Sequence, residues 1–298
     1  STTSIFGSVI PYLFIDENDI AVNIDAVKPI GVYAIQVIAP ENYEIVYADD
    51  HGTLTINPKE LYPETHYYET PYGTFNVNNL VTDFGGFAYN ESVLEAFSGG
   101  IKYSFEKNGE YYEADDKLVV GDYNIMIEGT INYEISSYGS NHGILRILPA
   151  ELRVTISPSD IIVGQGDSVN FLFAFGTFAY SDNRTSVFPD GIPYYFIDES
   201  GNAYYNTTIP GAYYIKITDP ENYTIVSNET HLFVNPSDIN AKKVRIYADC
   251  VSYNPNAIGN FKYTVVFRYE NDNAYPVYVN EGVENKLTGT AFSGKLPT

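Results

Sequence analysis

The sequence contains Gly211-Ala212-Tyr213-Tyr214-Ile215-Lys216-Ile217, and the same pattern occurs twice earlier in the chain. The earlier copies are Gly31-Val32-Tyr33-Ala34-Ile35-Gln36-Val37 and Gly121-Asp122-Tyr123-Asn124-Ile125-Met126-Ile127, so the first glycines are 90 residues apart. A Tyr-x-Ile motif follows each copy at the same step, with its tyrosine at Tyr43, Tyr133 and Tyr223. A fixed period of this length indicates domains in tandem.

Within the repeated stretch, constant and variable positions alternate. The constant side chains are Tyr33, Ile35 and Val37, then Tyr123, Ile125 and Ile127, then Tyr213, Ile215 and Ile217. Neighbouring side chains of a strand point to opposite faces. One constant apolar face beside a variable one therefore predicts a half-buried strand of an antiparallel sheet.

Each repeat also ends in the same way. A last strand is predicted around Leu54/Ile56, Leu145/Ile147 and Leu232/Val234, and each is followed by a proline, at Pro58, Pro149 and Pro236. Proline cannot donate to a sheet ladder, so it ends the strand. An acidic and an aliphatic residue follow each proline, without the Gly/Ser-rich composition of a flexible linker. We therefore expect short, stiff junctions.

These patterns predict an all-β protein of tandem immunoglobulin-like β-sandwich domains in an elongated array, because the period is close to the ~100 residues of such a sandwich. No convincing helical periodicity is present. The predicted segments are partial repeats at 1–58 and 237–298, the second partial or divergent, and whole repeats at 59–149 and 150–236. Residues 1–58 match the later part of a repeat. A different placement of the domain boundaries within the period, which gives three domains, stays open.

Composition limits the partners and the compartment. The chain has 298 residues and a formal net charge of −22, so it repels nucleic acid and anionic membrane surfaces. Its longest apolar stretch, 169–180, is shorter than the ~20 residues that span a bilayer, so we predict no membrane insertion in this fragment. The single cysteine, Cys250, cannot form a disulfide within one chain and is predicted to be a buried thiol.

The closing motif Gly-x-Leu-x-Ile-x-Pro, at 52–58 and 143–149, resembles the MBG-type immunoglobulin-like repeats of bacterial surface adhesins. The third copy departs from it, with His231 assigned to the glycine position. The resemblance implies a β-sandwich and an adhesion-related role at the cell surface or outside the cell. It transfers no catalytic or ligand-binding residue.

No sequence motif for a P-loop, a dinucleotide site, a nucleophile elbow or a zinc protease occurs. We therefore predict no catalytic, cofactor-binding or metal-binding residues and no enzymatic activity. Two groups of residues have both a functional and a simpler interpretation. His51, His142 and His231 are assigned to one repeated position and form either a metal or proton site or turn residues. Acidic clusters lie at 16–19, 115–116 and 219–222. They either offer oxygen ligands to structural calcium or form solvated loops.

The leading hypothesis is a non-enzymatic structural or adhesive stalk segment of a secreted bacterial cell-surface protein, which presents a distal binding region to a host, matrix or glycan ligand. One alternative is a carbohydrate-binding module that uses exposed tyrosines from pairs at 67–68, 111–112, 194–195, 204–205 and 213–214. Another is a fibre subunit that self-associates head-to-tail through its partial terminal repeats. The last alternative is an enzyme with a catalytic pair of carboxylates that no sequence motif reveals.

Overall fold

The computed structural model describes residues 2–7, 9–23, 29–47, 52–136, 143–238, 240–256 and 262–279. These residues form β-strands with a few one-turn helices, which confirms the all-β prediction. The chain divides into two compact units, 1–148 and 149–298. The predicted boundaries of the four repeat segments stay predictions, because this division does not separate them. No helix in the described ranges is long and apolar enough to cross a membrane.

The first unit begins with a four-stranded antiparallel sheet in the N-terminal segment, residues 1–58. Helix α1 (Thr2–Phe6) precedes it. The strands are β1 (Tyr12–Ile15), β2 (Ala21–Val22), β3 (Gly31–Val37) and β4 (Thr53–Ile56), in the order β2-β1-β3-β4. The predicted strand at Tyr33 is therefore present, with Phe14 and Tyr33 buried on its sheet.

The remainder of the first unit, called here repeat A (59–148), contains a five-stranded sheet and smaller strand pairs. Its strands are β5 (Lys59–Leu61), β6 (Glu64–Thr65), β7 (Tyr68–Pro71), β8 (Thr82–Asp83), β9 (Tyr103–Lys107), β10 (Glu110–Glu113), β11 (Gly121–Ile127), β12 (Tyr133–Ile135) and β13 (Ile144–Leu148). The large sheet has the order β10-β9-β11-β13-β7, in which β7 runs parallel to β13. Strand β5 pairs in parallel with β12, and β6 pairs with β8.

The second unit begins with repeat B (149–236), which has the same topology. Its strands are β14 (Ala150–Ser157), β15 (Asp160–Gly164), β16 (Leu172–Phe175), β17 (Tyr194–Ile197), β18 (Ala203–Tyr204), β19 (Gly211–Ile217), β20 (Tyr223–Ser227) and β21 (His231–Asn235). One sheet is ordered β15-β21-β19-β17-β18 and the other β16-β14-β20. In both repeats the chain first enters the smaller sheet and then runs parallel to the last strand of the larger one.

The core of each repeat includes the tyrosine and the following isoleucine of its Gly-x-Tyr stretch, which the sequence predicted to be buried, together with side chains that it did not predict. In repeat B, the alternating residues Leu152, Val154 and Ile156 of β14 are buried, as are Tyr213 and Ile215 of β19. In repeat A, Leu61, Phe97 and Tyr133 form one buried cluster. The burial of alternate side chains on facing elements is the expected result of a period of two.

The C-terminal segment, residues 237–298, contains a two-stranded antiparallel sheet of β22 (Arg245–Tyr253) and β23 (Tyr263–Glu270). Its only cysteine, Cys250, is exposed, so the prediction of a buried thiol was wrong. The pairing shifts between Ala248 and Cys250, which places Cys250 opposite Val266. Cys250 therefore lies on the face that carries Thr264 and Arg268, which is the polar face of the hairpin.

The Tyr-x-Ile motif that follows each Gly-x-Tyr stretch predicts a further strand. This prediction was wrong in the first of the three copies. Residues 43–47 are not in a strand, and Tyr43 is 55% exposed, whereas Tyr133 and Tyr223 are 1% and 2% exposed. Strands β12 and β20 hold these two tyrosines by pairing with β5 and β14. No counterpart of those first strands precedes Tyr43 among the described residues.

The structure also contains short helices that the sequence interpretation did not include. Helices α2 (Val93–Ala96) and α3 (Arg184–Val187) occupy equivalent positions, and each begins with a capping box. At α2 the box joins Ser92 to Glu95. The Ser-x-x-Glu spacing is a recognised start signal, but a single turn is too short to show helical periodicity.

Candidate functional site

The tyrosine of each repeated Gly-x-Tyr stretch forms the same local bond. Its ring is buried, and its hydroxyl donates to the carbonyl oxygen four residues earlier. The bonds are Tyr33 to Pro29 at 2.7 Å, Tyr123 to Val119 at 2.8 Å and Tyr213 to Ile209 at 2.7 Å. A buried tyrosine that bonds back to the chain just before its strand is the tyrosine corner of immunoglobulin-like sandwiches.

The glycine two positions earlier makes room for this ring. A Cβ atom on Gly211 would lie 3.2 Å from the hydroxyl oxygen of Tyr213 and 3.3 Å from its Cζ. These distances are shorter than an ordinary van der Waals contact, so a side chain there would push the ring away from its acceptor. Gly211 therefore leaves room for the tyrosine corner of repeat B. At Gly31 the added Cβ would lie 3.8 Å from Tyr33 Cε2, an ordinary contact, and at Gly121 it would meet Lys107 Nζ at 2.6 Å instead.

We expect Tyr213→Phe to lower the free energy of unfolding of repeat B by about 1 kcal/mol, since it leaves the ring in place and removes one hydrogen bond. The matched control is Tyr214→Phe, on the opposite face of the same strand, with an expected change within about 0.5 kcal/mol. Denaturant titration of the two variants measures the difference. Equal losses would show that the corner bond does not stabilise the repeat.

A second tyrosine joins the two halves of each complete repeat. The hydroxyl of Tyr133 accepts from the backbone N–H of Ala88 at 2.9 Å and donates to Glu91 at 2.6 Å. Burial, and then the bond to Glu91, raise the pKa of this hydroxyl. The equivalent set in repeat B is Tyr223, Ala179 and Asp182, at 3.0 and 2.8 Å. This contact was missed because its partners are more than 40 residues apart in the chain.

His231 is the member of the proposed histidine set that lies within the described residues; His51 and His142 do not. Its Nδ1 is 2.9 Å from Asp160 Oδ1, and its ring stacks on Phe233. In sheet register, His231 lies opposite Tyr214, the position that Thr53 and Ile144 occupy in the other copies. His51 and His142 directly precede Gly52 and Gly143, so they stand two positions earlier in the repeat. The assignment of the three histidines to one position was wrong.

The same register shows which residue replaces the glycine in the third copy. The carbonyls of Gly52 and Gly143 accept from Ile35 and Ile125, and in repeat B the carbonyl of Thr230 accepts from Ile215. Thr230, not His231, therefore occupies the glycine position. The closing motif gives the same answer, because its glycine stands two residues before Leu54 and Leu145, and Thr230 stands two residues before Leu232.

The carboxylates of the acidic clusters bind backbone N–H groups of their own turns. Asp16 accepts from Asn18 and Ile20, both at 2.9 Å. Asp116 accepts from Glu113 at 2.7 Å and Asp219 from Ile225 at 2.8 Å. In the ranges that the structure describes, no group of three or more His, Cys, Asp or Glu side chains could hold a metal ion. The clusters therefore have a structural explanation as turn caps.

Asp198 is the equivalent of Asp16 in repeat B and makes more bonds. Its carboxylate accepts from the side chain and backbone of Asn202, from Tyr204 and from the backbone of Ser200. These bonds, first of all the one from the Asn202 side chain, lower the pKa of Asp198. A lowered folded-state pKa means stability that is present above the unfolded value and lost as the pH falls through the folded value.

We therefore expect wild type to melt at a higher temperature than Asp198→Asn at pH 7, and this difference to shrink as the pH falls below about 4. The control is Asp190→Asn, which removes an exposed carboxylate elsewhere in the same repeat. Thermal melts between pH 3 and pH 7 measure the effect. A gap that widens toward low pH would contradict the assigned role.

Equivalent clefts in the two complete repeats have different chemistry. The cleft of repeat A, of about 450 Å³, lies between 95–102 and 128–132 and contains the ion pair of Lys102 with Glu128 at 3.3 Å. The cleft of repeat B, of about 500 Å³, lies between 187–193 and 218–221 and has Pro193 and Thr218 at the same positions. The geometry is repeated and the polar groups are not, so the clefts are a consequence of the fold.

Several tyrosine pairs expose one ring, as the alternation of a strand predicts. Tyr67, Tyr111 and Tyr205 are 53%, 70% and 79% exposed. Tyr67 and Tyr111 lie at opposite edges of one sheet, next to β7 and in β10. Tyr205 packs against Tyr195 with ring centroids 6.1 Å apart. The hairpin of β17 and β18 therefore carries a packed pair of tyrosine rings, one of which is largely exposed.

Comparisons with known proteins find no matching family model and no matching curated protein. Solved structures that resemble the chain include the N-terminal four Ig domains of Dscam1 isoform 8.4, at 11% identity over 76% of this chain, with a TM-score of 0.27. The same four domains of isoform 9.44 (with zinc) match at 10% identity over 79% of this chain, with a TM-score of 0.22. The chain spans 65% and 67% of those two structures. TM-scores of this size are too low to indicate a common overall structure.

The class of protein follows from the molecule itself. Both complete repeats have the same strand order, with an early strand, β7 or β15, parallel to the last strand, β13 or β21. All three Gly-x-Tyr stretches form tyrosine corners. The chain is thus an all-β protein of tandem immunoglobulin-like β-sandwich repeats.

Proposed function

We propose that the chain is a non-enzymatic structural or adhesive stalk segment of a secreted bacterial cell-surface protein, which presents a distal binding region. The observation that carries this proposal is the parallel pairing of the last strand of each complete repeat with a strand near its start. Strand β7 pairs in parallel with β13 over four residue pairs, and β15 pairs with β21 over five.

This pairing suits a part that transmits force. Tension along the chain pulls the start and the end of a repeat in opposite directions. The first strand, β5 or β14, pairs with β12 or β20, and the later strand β7 or β15 is the parallel neighbour of the last strand. Where the pull reaches that parallel pair, it runs along both strands and loads all the hydrogen bonds between them together. Antiparallel terminal strands pulled apart from one end would instead break their bonds one after another. A stalk that bears tension benefits from parallel strands whose hydrogen bonds are loaded together, whereas an enzyme active site does not need this arrangement.

Single-molecule stretching of the full chain tests the proposal. We expect two separate unfolding peaks, one per complete repeat, each releasing about 30 nm of chain, since about 90 residues extend by 3.3–3.6 Å each. The control measurement pulls across one antiparallel pair, through handles coupled to Tyr195→Cys and Lys216→Cys in a Cys250→Ser background. The handles are coupled to the reduced thiols, because directly opposite cysteines would otherwise form a disulfide. Unfolding without discrete peaks, or at the same force in both geometries, would contradict a mechanical role.

The proposed location rests on composition and on motif. The resemblance of the closing motif to MBG-type repeats supports a bacterial surface protein, and the charge of −22 suits a solvated chain outside the cell. Treatment of intact native cells with protease tests this. We expect the chain to be cleaved while a cytoplasmic marker survives, and its protection in intact cells would contradict the location.

A second candidate is carbohydrate binding through Tyr195 and Tyr205. Paired tyrosine rings at a sheet edge offer flat apolar contact with polar tips, which suits the faces of sugar rings. A glycan array with wild type and Tyr205→Ala tests it, with Tyr111→Ala as a control at an exposed tyrosine in repeat A. Loss of a signal in the first variant alone supports the candidate, and absence of any signal removes it.

A further inference from the structure

We propose that Phe233 and Asn235, in the last strand of repeat B, form a docking surface that binds the segment 271–279 and so fixes the orientation of the hairpin of β22 and β23. The partner that fits this surface is an extended segment that presents one backbone N–H and C=O pair beside an aromatic ring. The contacts that carry the inference are formed within the second unit. They exist whatever precedes or follows the described residues, and the inference goes beyond the stalk function.

Strand β21 places both side chains of the docking surface on the outer face of its sheet. Leu232 and Val234 are 0% exposed, so the alternation of the strand directs Phe233 and Asn235 away from the core. Phe233 is nevertheless only half-exposed. Its ring is stacked on His231 and lies against Tyr278 of the segment 271–279, with ring centroids 6.0 and 4.7 Å away.

The side-chain amide of Asn235 pairs with the backbone of Tyr278 as a neighbouring strand would. Its Oδ1 accepts from the N–H of Tyr278 at 2.9 Å, and its Nδ2 donates to the carbonyl oxygen of Tyr278 at 2.9 Å. Asparagine offers an acceptor and a donor on one planar group, so a single side chain satisfies both backbone groups. Two bonds to one residue fix the direction of the bound segment, whereas a single bond would allow rotation.

The ring of Tyr278 adds a second contact to this pair of bonds. It is tilted by 31° against the ring of Phe233, and aromatic pairs at such distances stabilise beyond their buried area. Burial, and then the charge of Glu199, raise the pKa of the Tyr278 hydroxyl, as expected for a hydroxyl withdrawn from water. Tyr278 is therefore bound to repeat B through its backbone and through its ring.

The same segment is also bound to the junction that leads from repeat B into β22. The hydroxyl of Tyr275 donates to Asp238 at 2.8 Å. Asn273 repeats the pairing of Asn235, because its Oδ1 accepts from the N–H of Lys242 at 2.7 Å and its Nδ2 donates to the carbonyl oxygen of Lys242 at 2.8 Å. A swing of the hairpin relative to repeat B would therefore break bonds at three separate places.

The strand that carries the docking surface is held where it leaves repeat B. The backbone N–H of Gln165 donates to the carbonyl of Asn235 at 2.8 Å. The side chain of Gln165 donates to the carbonyl of Thr208 at 2.7 Å and accepts from the N–H of Ser237 at 3.3 Å. The backbone beneath the docking surface is therefore fixed from the neighbouring strand, and the Asn235 side chain is free to bind Tyr278.

The docking surface is not a general consequence of the fold, because the other complete repeat has different residues there. The sheet register places Arg146 and Leu148 of repeat A at the positions of Phe233 and Asn235. Arg146 binds Asp122 of its own sheet through two bonds, at 2.6 and 2.7 Å. Leu148 has no side-chain donor or acceptor. Repeat A therefore cannot bind a backbone segment in this way.

Relative motion is the usual behaviour of linked domains unless their contact is extensive. Here a few specific contacts replace an extensive one. The orientation of the hairpin is therefore expected to depend on two side chains, Asn235 and Tyr278, and to be lost when they are removed.

Spin-label distances in the full chain test the inference. The labels are attached at Thr224→Cys in β20 and at Thr264→Cys in β23, both exposed, in a Cys250→Ser background. We expect one narrow distance distribution when the docking surface is intact. Asn235→Ala combined with Tyr278→Ala should abolish the narrow peak and give a broad distribution. The matched control, Asn206→Ala combined with Tyr205→Ala, removes the same residue types, whose contacts lie within repeat B, and should keep the narrow peak.

Asn235→Asp separates the hydrogen bonds from the shape of the side chain. It has the same size as asparagine, but a carboxylate oxygen replaces the donor that faces the carbonyl oxygen of Tyr278. We expect it to broaden the distribution as well, while hydrogen exchange within repeat B shows that the repeat remains folded. A broad distribution with the docking surface intact, or a narrow one in both Asn235 variants, would overturn the proposal.

Discussion

Replacing Tyr223 by alanine is expected to lower the free energy of unfolding of repeat B by about 3–5 kcal/mol, the usual cost of removing a buried aromatic ring. The same replacement at Tyr43 is expected to change stability by less than about 0.5 kcal/mol. The two tyrosines occupy the same position of the repeated sequence. They differ in exposure, 2% against 55%.

The physical reason lies in what each ring contacts. Tyr223 is held by parallel pairing of β20 with β14, and its hydroxyl bonds to Ala179 and Asp182. Truncation therefore leaves a cavity and removes the partner of a backbone N–H and of a carboxylate. Tyr43 is largely in solvent, so its truncation leaves no cavity.

Hydrogen exchange read peptide by peptide is the suitable measurement, because the chain has more than one unit and a single transition is not assured. It is carried out at a concentration at which the protein is monomeric. The expected result is faster exchange throughout repeat B in Tyr223→Ala and unchanged exchange in Tyr43→Ala. Similar effects of both variants would mean that Tyr43 is held as its counterparts are.

This contrast shows what the sequence can predict. The alternation within 31–37, 121–127 and 211–217 is local, and it predicted the strands in all three copies. The tyrosine of each is buried, but the whole predicted face is buried only in the third copy. The tyrosine corner is also local, since its acceptor lies four residues earlier. Whether Tyr43 is buried depends on a first strand that pairs over a long sequence distance. No pattern near Tyr43 carries that information.

The errors concerning single residues have the same origin. Cys250 was predicted to be buried from the habits of free cysteine, but its face is set by a shift in pairing between two strands. His231 was matched to His51 and His142 by counting residues along the chain. Strand register decides which positions are equivalent, and the loop before the last strand differs in length between the repeats. The bonds between Tyr133 and its partners join segments more than 40 residues apart. The candidate site was therefore less predictable than the fold.

Alanine at Gly143 is expected to destabilise repeat A by about 1–3 kcal/mol, the cost of forcing extra atoms into a packed site. An added Cβ would lie 2.6 Å from the carbonyl oxygen of Thr65 and 2.7 Å from its Cβ. Both are atoms of a paired strand, β6, which cannot move away as the end of a flexible side chain can. Thermal or denaturant unfolding of the variant measures the loss.

Gly52→Ala is the matched control, because Gly52 and Gly143 hold the same position of the closing motif. There the added Cβ would meet Ile35 Cδ1 at 3.5 Å, an ordinary contact. Neither glycine has a backbone conformation that excludes alanine. We therefore expect Gly52→Ala to be neutral or to stabilise by about 0.4–1 kcal/mol, through the lower entropy of the unfolded chain. A loss at Gly52 as large as that at Gly143 would contradict this explanation.

The two substitutions differ because the first strand of the repeat is present beside Gly143 and absent beside Gly52 in the described residues. The cost of a side chain at this position of the closing motif therefore depends on whether a neighbouring strand lies against it.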